Sequence, residues 1–286
     1  MTFEESVRAL ERMAAADAAD PAANPQSATR VLTHGRRTDR ALLLLHGFTS
    51  SPRQMSDLGE LAFARGWNVF IPRLPHHGLR DRMTNALAGL READLKTAAS
   101  DGLVAASSLG ERVDVLGFSM GGVMAAWLGQ THDLHSVTAI APFMGLKLTP
   151  HRLSSLIGET LAAVPNAWLW WNIWERAAQL PMHAYPRYPT HAVAELLRLG
   201  QDVMRRAVGK RPRAAHISVI VNCDDPSQNN SVSHDLAKLW TASGANCNWR
   251  ELRNLGWCHD IMDPTTYPNA AKLVYSIAME ALDSHI

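Results

Sequence analysis

The chain has 286 residues, which suits a single α/β domain that carries an insertion. Hydrophobic residues make up 47% and charged residues 19%, as in ordinary globular proteins. The formal net charge is +1, so no global field favours nucleic acid or an anionic membrane, and neither partner is expected.

The N-terminal segment lacks the pattern of a signal peptide, because five of its first 12 residues are charged and no apolar stretch follows. The three cysteines, Cys223, Cys247 and Cys258, are too few for a disulfide framework, although Cys223 and Cys258 could lie near each other. This usage is typical of a reducing compartment. We therefore expect a cytoplasmic protein without a stable membrane anchor. The sequence does not decide between a monomer and a homodimer.

The first half of the chain alternates between helix-like and strand-like patterns. An amphipathic helix is predicted over 3–19, followed by an edge strand over 29–35. Continuous apolar runs, typical of strands buried on both faces, then alternate with helical patterns. The predicted strands cover 41–45, 67–74, 112–116 and 136–143, and the predicted helices cover 52–65 and 88–108.

The alternation breaks over 144–213, which is mostly helix-like and contains a cluster of four tryptophans. It resumes with strands at 217–221 and 247–252 and helices at 231–243 and 264–282. This order predicts an α/β fold, a mostly parallel sheet with helices on both faces. The predicted core domain comprises 1–143 and 214–286, and 144–213 is predicted to be a helical cap or lid.

The most informative motif is Gly117-Phe-Ser119-Met-Gly121, which lies between an apolar strand and a helical run. A strand, a sharp turn and a helix around Gly-x-Ser-x-Gly are the context of a nucleophile elbow. Glycine suits the flanking positions because a Cβ there would collide with the adjoining strand or helix. The motif therefore predicts that Ser119 is a nucleophile.

A serine nucleophile needs a base and an orienting carboxylate. Asp225 and His259 each follow a predicted strand, in the chain order Ser, Asp, His of α/β-hydrolases. Asp224 stays an alternative acid, as does Asp202 with less support. His46 and His77 are the rival histidines and are interpreted as hydrogen-bonding loop residues.

With these motifs the chain resembles the α/β-hydrolase superfamily, near the bacterial carboxylesterases and monoacylglycerol lipases. The motifs are Leu-Leu-His46-Gly-Phe-Thr, Pro72-Arg-Leu-Pro-His-His-Gly78, the Ser119 elbow and the loops of Asp225 and His259. They cover about 40–143 and 215–282. The resemblance implies that Ser119 is the nucleophile, His259 the general base and acid, and Asp225 the orienting carboxylate. It also implies an oxyanion hole made by the backbone N–H groups of Phe48 and Met120.

Two features depart from the family or lie outside its motifs. His76 stands where the family usually has glycine, so either its φ is positive or its side chain faces the mouth of the site. Trp170 and Trp171 are candidates to line an acyl pocket, although plain packing is favoured for any single tryptophan.

The expected function is a serine hydrolase that cleaves carboxylic esters with an apolar acyl group and needs no metal or organic cofactor. The same triad would also serve a thioesterase, an amidase or a C–C bond hydrolase. A non-catalytic homologue that binds a small ligand is the alternative from another class.

Overall fold

The apolar runs of the chain become neighbouring strands in a computed structural model that describes residues 2–147, 149–150 and 153–284. A seven-stranded sheet has the order β1-β3-β2-β4-β5-β8-β9. Its strands are β1 (Arg30–Leu32), β2 (Thr38–Leu45), β3 (Asn68–Ile71), β4 (Gly110–Phe118), β5 (Ser136–Ile140), β8 (His216–Asn222) and β9 (Asn246–Leu252). Only β1, at one edge, pairs in the antiparallel direction.

Helices cover both faces of this sheet, so the central strands are mostly buried and rich in apolar residues. The helices are α1 (Phe3–Ala19), α2 (Arg53–Ala64), α3 (Glu92–Leu109), α4 (Met120–Thr131), α5 (Ser154–Ala163), α6 (Thr190–Ala207), α7 (Asn230–Ala242) and α8 (Pro268–Asp283). On β2, Leu43 and Leu45 face the core formed with α3, α4 and α7, whereas Leu42 and Leu44 face α2 and α8. This alternation is the two-residue period of a strand buried on both sides.

The parallel arrangement brings distant loops to one edge of the sheet. The strands β2, β4, β8 and β9 run in the same direction, so their carboxyl ends lie together. The loops after these strands contain His46–Ser51, Ser119, Asp225 and His259. Ligands of open α/β sheets bind at such an edge.

The segment 144–213 differs from the mostly helical prediction. It contains α5 and α6, but between them lies a small antiparallel pair, β6 (Trp168–Trp170) and β7 (Arg187–Pro189). The predicted helix around the tryptophans is wrong because Pro165 prevents α5 from continuing, and aromatic residues suit an extended chain. The division into core and cap stays a prediction.

Two further observations bear on expectations from the sequence. Cys223, Cys247 and Cys258 are all free thiols. Within the described ranges, no helix is both long enough and apolar enough to cross a membrane.

Candidate active site

The turn between β4 and α4 carries Ser119 in a strained conformation. Its φ of 54° and ψ of −109° lie outside the regions that residues with side chains normally occupy. A Cβ on Gly117 would come 1.9 Å from the carbonyl oxygen of Gly121, and one on Gly121 would come 2.0 Å from that of Leu45. Only glycine fits at these two positions, so the pattern Gly-x-Ser-x-Gly has a steric cause in this fold.

Ser119, His259 and Asp225 form one chain of hydrogen bonds. The Nε2 atom of His259 is 2.8 Å from Ser119 Oγ, and its Nδ1 atom is 2.6 Å from Asp225 Oδ2. An ionised carboxylate can only accept, so Nδ1–H donates to Asp225 and Nε2 of the neutral ring accepts from the hydroxyl. The Asp225 side chain is fully buried, whereas 17% of the His259 side chain is exposed.

The electrostatics of this pair favour a charged histidine beside a charged aspartate. Burial acts to raise the pKa of Asp225, but His259 and the amides of Ser227 and Gln228 outweigh it, so the pKa is lowered. Burial likewise acts to lower the pKa of His259, but the charge and hydrogen bond of Asp225 outweigh it and the pKa is raised. The ring is therefore well suited to take up a proton from a neighbouring hydroxyl.

The alternative acids lie elsewhere. Asp224 is exposed and its carboxylate makes no contact with His259, whereas its buried neighbour Asp225 does. Asp202, buried on α6, is held by Lys96, Arg205 and Arg206.

The rival histidines are loop residues, as predicted. Nε2 of His46 accepts from the amide of Leu74 at 3.2 Å, and Nδ1 of His77 lies 2.7 Å from the Pro75 carbonyl. Burial lowers the pKa of His77 to about 4 and that of His46 well below its ordinary value. Both rings are therefore neutral and are held in the loops that follow β2 and β3.

The two amides expected to form an oxyanion hole lie beside the nucleophile. Met120 begins α4, so its N–H has no partner in the preceding turn of that helix. Phe48 lies in the loop after β2, and within the described part of the chain we find no acceptor for either amide. Neither amide is therefore occupied by a described protein acceptor, and the positive end of the α4 dipole adds a field that favours an anion beside Ser119.

A cavity of about 520 Å³ has both Ser119 and His259 in its wall. Its aromatic lining consists of Phe48, Phe118, Trp171, Tyr185, Trp257 and Tyr267. Its charged and amide side chains, besides His259, are Gln54, Arg82, Asn172, Glu175, Gln179 and Asp260. The cavity can therefore accept a ligand that is mostly apolar and carries a few polar groups.

Of the side chains expected to bind substrate, Trp171 lines this cavity, whereas Trp170 and His76 lie outside it. Substrate binding by these two therefore stays a prediction that the lining of this cavity does not support. Consecutive side chains of an extended segment point in opposite directions, and the ring of Trp170 instead lies under the Arg176 guanidinium at 5.8 Å. His76 has a φ of 65°, the positive value considered for a residue in the place of glycine, and its Nε2 atom lies 3.8 Å from Asp94 Oδ2.

Sequence reasoning missed Gln54. Its Oε1 atom accepts from the amide of Gly47 at 2.8 Å, and its Nε2 atom donates to Asp260 Oδ1 at 2.9 Å. This buried amide therefore links the loop of Phe48 to the loop of His259. No local pattern marks it, because its two partners lie in different parts of the chain.

Asp260, the partner of Gln54, has an unusual pKa. Burial is the larger cause and repulsion from Asp263 the smaller one, and together they raise the pKa of Asp260 to about 6.

Comparisons with known proteins identify the family and the fold of the chain. The sequence model described as "Alpha/beta hydrolase family" matches residues 42–268. A search of curated proteins finds no match. The structure reported with the metagenome-derived lipolytic enzymes LipS and LipT is 21% identical, with a TM-score of 0.69, over 92% of this chain and 100% of that chain.

Two other similar structures are lipases by name. The monoacylglycerol lipase of Paleococcus ferrophilus is 17% identical, with a TM-score of 0.68, over 90% of this chain and 98% of that chain. A monoglyceride lipase from Saccharomyces cerevisiae is 14% identical, with a TM-score of 0.69, over 90% of this chain and 91% of that chain. At these identities the similarity shows a common fold.

Proposed function

Because the chain belongs to the α/β hydrolase family, we propose that it is a serine hydrolase that cleaves carboxylic esters through an acyl-enzyme. The observation that carries the proposal is the chain of hydrogen bonds from Asp225 through His259 to Ser119, in the wall of a cavity. Nucleophile, base and orienting acid are within hydrogen-bond reach of one another, as nucleophilic catalysis requires.

In the first half of the proposed reaction, Ser119 Oγ attacks the carbonyl carbon of the ester while its proton passes to His259 Nε2. The amides of Phe48 and Met120 hold the oxyanion, and such a donor contributes about 3–4 kcal/mol in a comparable enzyme. The C–O bond to the alcohol then breaks, and His259 gives the proton to the leaving oxygen. Asp225 stabilises the imidazolium and keeps the ring in the tautomer that this transfer needs.

The second half repeats these steps with water. His259 takes a proton from the water as its oxygen attacks the acyl carbon, and the same amides hold the second oxyanion. The bond to Ser119 Oγ breaks, the carboxylic acid leaves, and the proton returns from His259 to the serine. This cycle uses only the side chains and amides of the chain and proceeds without a metal or an organic cofactor.

The aromatic lining supports a substrate whose acyl group is apolar. Phe48, Phe118 and Trp171 present ring surfaces to the cavity, whereas the carbonyl would lie beside Ser119. The similar fold of lipolytic enzymes and of monoacylglycerol lipases adds support for a small carboxylic ester. A carboxylesterase or a monoacylglycerol lipase is therefore the proposed subtype.

The test is covalent labelling of the full chain with a fluorophosphonate, measured beside hydrolysis of p-nitrophenyl esters. We expect the native chain to react, and Ser119→Ala to lose labelling and to lose kcat by about a million-fold, as in a comparable triad. Ser231, on α7 and away from the cavity, provides the control, because Ser231→Ala should label and turn over like the native chain.

Two outcomes would contradict the proposal. A native chain that neither labels nor hydrolyses any ester would favour the non-catalytic homologue. Labelling that persists in Ser119→Ala would place the reactive group on another residue.

A further inference from the structure

The loop that carries Phe48 contains a strained residue directly after it. Gly47 to Ser50 form a turn, in which the Ser50 amide donates to the Gly47 carbonyl at 3.2 Å. Thr49, the third residue of this turn, has a φ of 62°. Positive φ at this position favours glycine or asparagine, and a β-branched threonine is an outlier there. Other contacts must therefore hold Thr49 in place.

Those contacts come from the inserted segment 144–213. The indole Nε1–H of Trp171 donates to Thr49 Oγ1 at 2.9 Å. The amide of Tyr185 donates to the carbonyl of Thr49 at 2.8 Å. Thr49 is thus held through both its side chain and its backbone, and both donors lie more than a hundred residues further along the chain.

Ring contacts link the same two regions. The ring of Trp171 lies 4.3 Å from that of Tyr188, between centroids, and the ring of Tyr188 lies 5.9 Å from that of Phe48. On its other side the loop is held by the core, since Gln54 accepts from the amide of Gly47. The loop that carries Phe48 therefore contacts both the core and the inserted segment.

From this arrangement we propose that Trp171 and Thr49 are positioning residues for the oxyanion hole. The inference rests on the proposed function, in which the N–H of Phe48 stabilises the oxyanion. The Trp171–Thr49 hydrogen bond holds Thr49 at positive φ. If Thr49 relaxed to negative φ, the peptide after Phe48 would rotate and the loop that carries its N–H would shift. The inserted segment thus contributes to the chemical step as well as to the wall of the cavity.

The indole of Trp171 has a single polar atom, and that atom is directed to Thr49. Its ring still lines the cavity, so a change in substrate binding has to be separated from a change in the chemical step. Only an interaction that is stronger in the transition state lowers kcat when it is removed, whereas a uniform loss of binding raises KM.

The experiment uses the full chain with a p-nitrophenyl ester and five variants, of which three test the inference and two are controls. Trp171→Phe keeps a ring on Tyr188 and removes the donor, and Thr49→Val removes the acceptor at nearly constant shape. Each should lower kcat about 10-fold to 100-fold with little change in KM. A loss of this size is expected when a group that stabilises the transition state is slightly misplaced. The double variant should lose no more than either single variant, because both remove one interaction.

The other two variants are controls. Thr49→Ser keeps the hydroxyl and should restore kcat, and Trp174→Phe alters a tryptophan that is 89% exposed and should change nothing. A trifluoromethyl ketone, which forms an oxyanion adduct with the serine, should bind Trp171→Phe more weakly by the factor lost in kcat. Melting curves by circular dichroism establish that each variant is folded.

Native kcat in folded Trp171→Phe or Thr49→Val would overturn this inference but leave the proposed function intact. The same holds for a raised KM at unchanged kcat, since Trp171 would then only contact the substrate. A native chain without ester turnover would overturn the proposed function, and this inference with it.

Discussion

The two ends of the parallel sheet each bury a basic group against an aspartate. Near the amino ends of β2 and β4, Arg40 Nε lies 2.7 Å from Asp114 Oδ2, and the two side chains are 5% and 0% exposed. At the carboxyl ends, His259 Nδ1 lies 2.6 Å from Asp225 Oδ2, with side chains 17% and 0% exposed. The distances are nearly equal, yet we assign a structural role to the first pair and a chemical role to the second.

The difference lies in what the remaining polar atoms contact. Arg40 also donates to the carbonyl of Leu282 and stacks on Trp67, and Asp114 accepts from Ser136. All of these partners belong to the protein, and neither residue lines the cavity at Ser119. His259 instead directs Nε2 to a hydroxyl in a cavity wall, and its ordinary pKa is close to neutrality. A buried ion pair becomes reactive where one partner titrates near neutral pH and faces space for a substrate.

Of the substitutions that test this comparison, the largest effect is expected at Asp225. Asp225→Asn should lower kcat about 10,000-fold, because an amide that donates to Nδ1 stabilises the wrong tautomer of His259. The measurement is ester hydrolysis, with Asp224→Asn as the matched control on the exposed neighbouring residue, which should keep native kcat. The reverse result would assign the acid role to Asp224.

At the opposite end, Asp114→Asn should lower the free energy of unfolding by about 3–5 kcal/mol, because it leaves Arg40 charged and without its buried partner. Chemical denaturation measures this change. Asp133→Ala removes the exposed partner of Arg213 and should change stability little. The folded fraction of Asp114→Asn should keep native kcat, and a specific loss of kcat would contradict the separation of roles.

The smallest effect is expected at Asp260, where the charge next to the triad can be removed. Activity requires neutral His259, so kcat/KM rises with pH through the pKa of His259, which is above its ordinary value. Burial of His259 opposes this rise, whereas Asp225 and, more weakly, Asp260 cause it. Asp260 has a pKa of about 6 and is ionised above that pH.

Asp260→Asn should therefore lower the pKa of His259 and extend activity to lower pH. The pH profile of kcat/KM measures the shift, and Asp224→Asn should leave the profile in place. A shift to higher pH in Asp260→Asn would contradict the sign of this interaction.

Most of the fold could be predicted from local patterns. The predicted elements of the α/β sheet are all present, but their boundaries differ. The strands at 38–45 and 110–118 are longer, because hydrogen bonding continues past the apolar run, and the strands predicted over 29–35, 67–74 and 136–143 are shorter. The helical prediction failed at 168–170, where helical and extended patterns of aromatic residues look alike. Here the pairing of β6 with β7 decided the local structure.

The chemical candidates were recognisable from chain order and local sterics. The elbow at Ser119 needs glycine at two nearby positions, and Asp225 and His259 follow strands whose carboxyl ends must meet in a parallel sheet. These constraints act within a few residues or follow from the strand order, so they leave a pattern in the sequence.

The surroundings of the candidates were decided by tertiary contacts. Trp171 and Thr49 are 122 residues apart, and Gln54 and Asp260 are 206 residues apart. The cavity is lined by Trp171 and not by Trp170 because consecutive side chains of an extended segment point in opposite directions. The positive φ of Thr49 depends on donors from the inserted segment 144–213. Contacts of this kind join side chains with no sequence period in common, so only the folded chain reveals them.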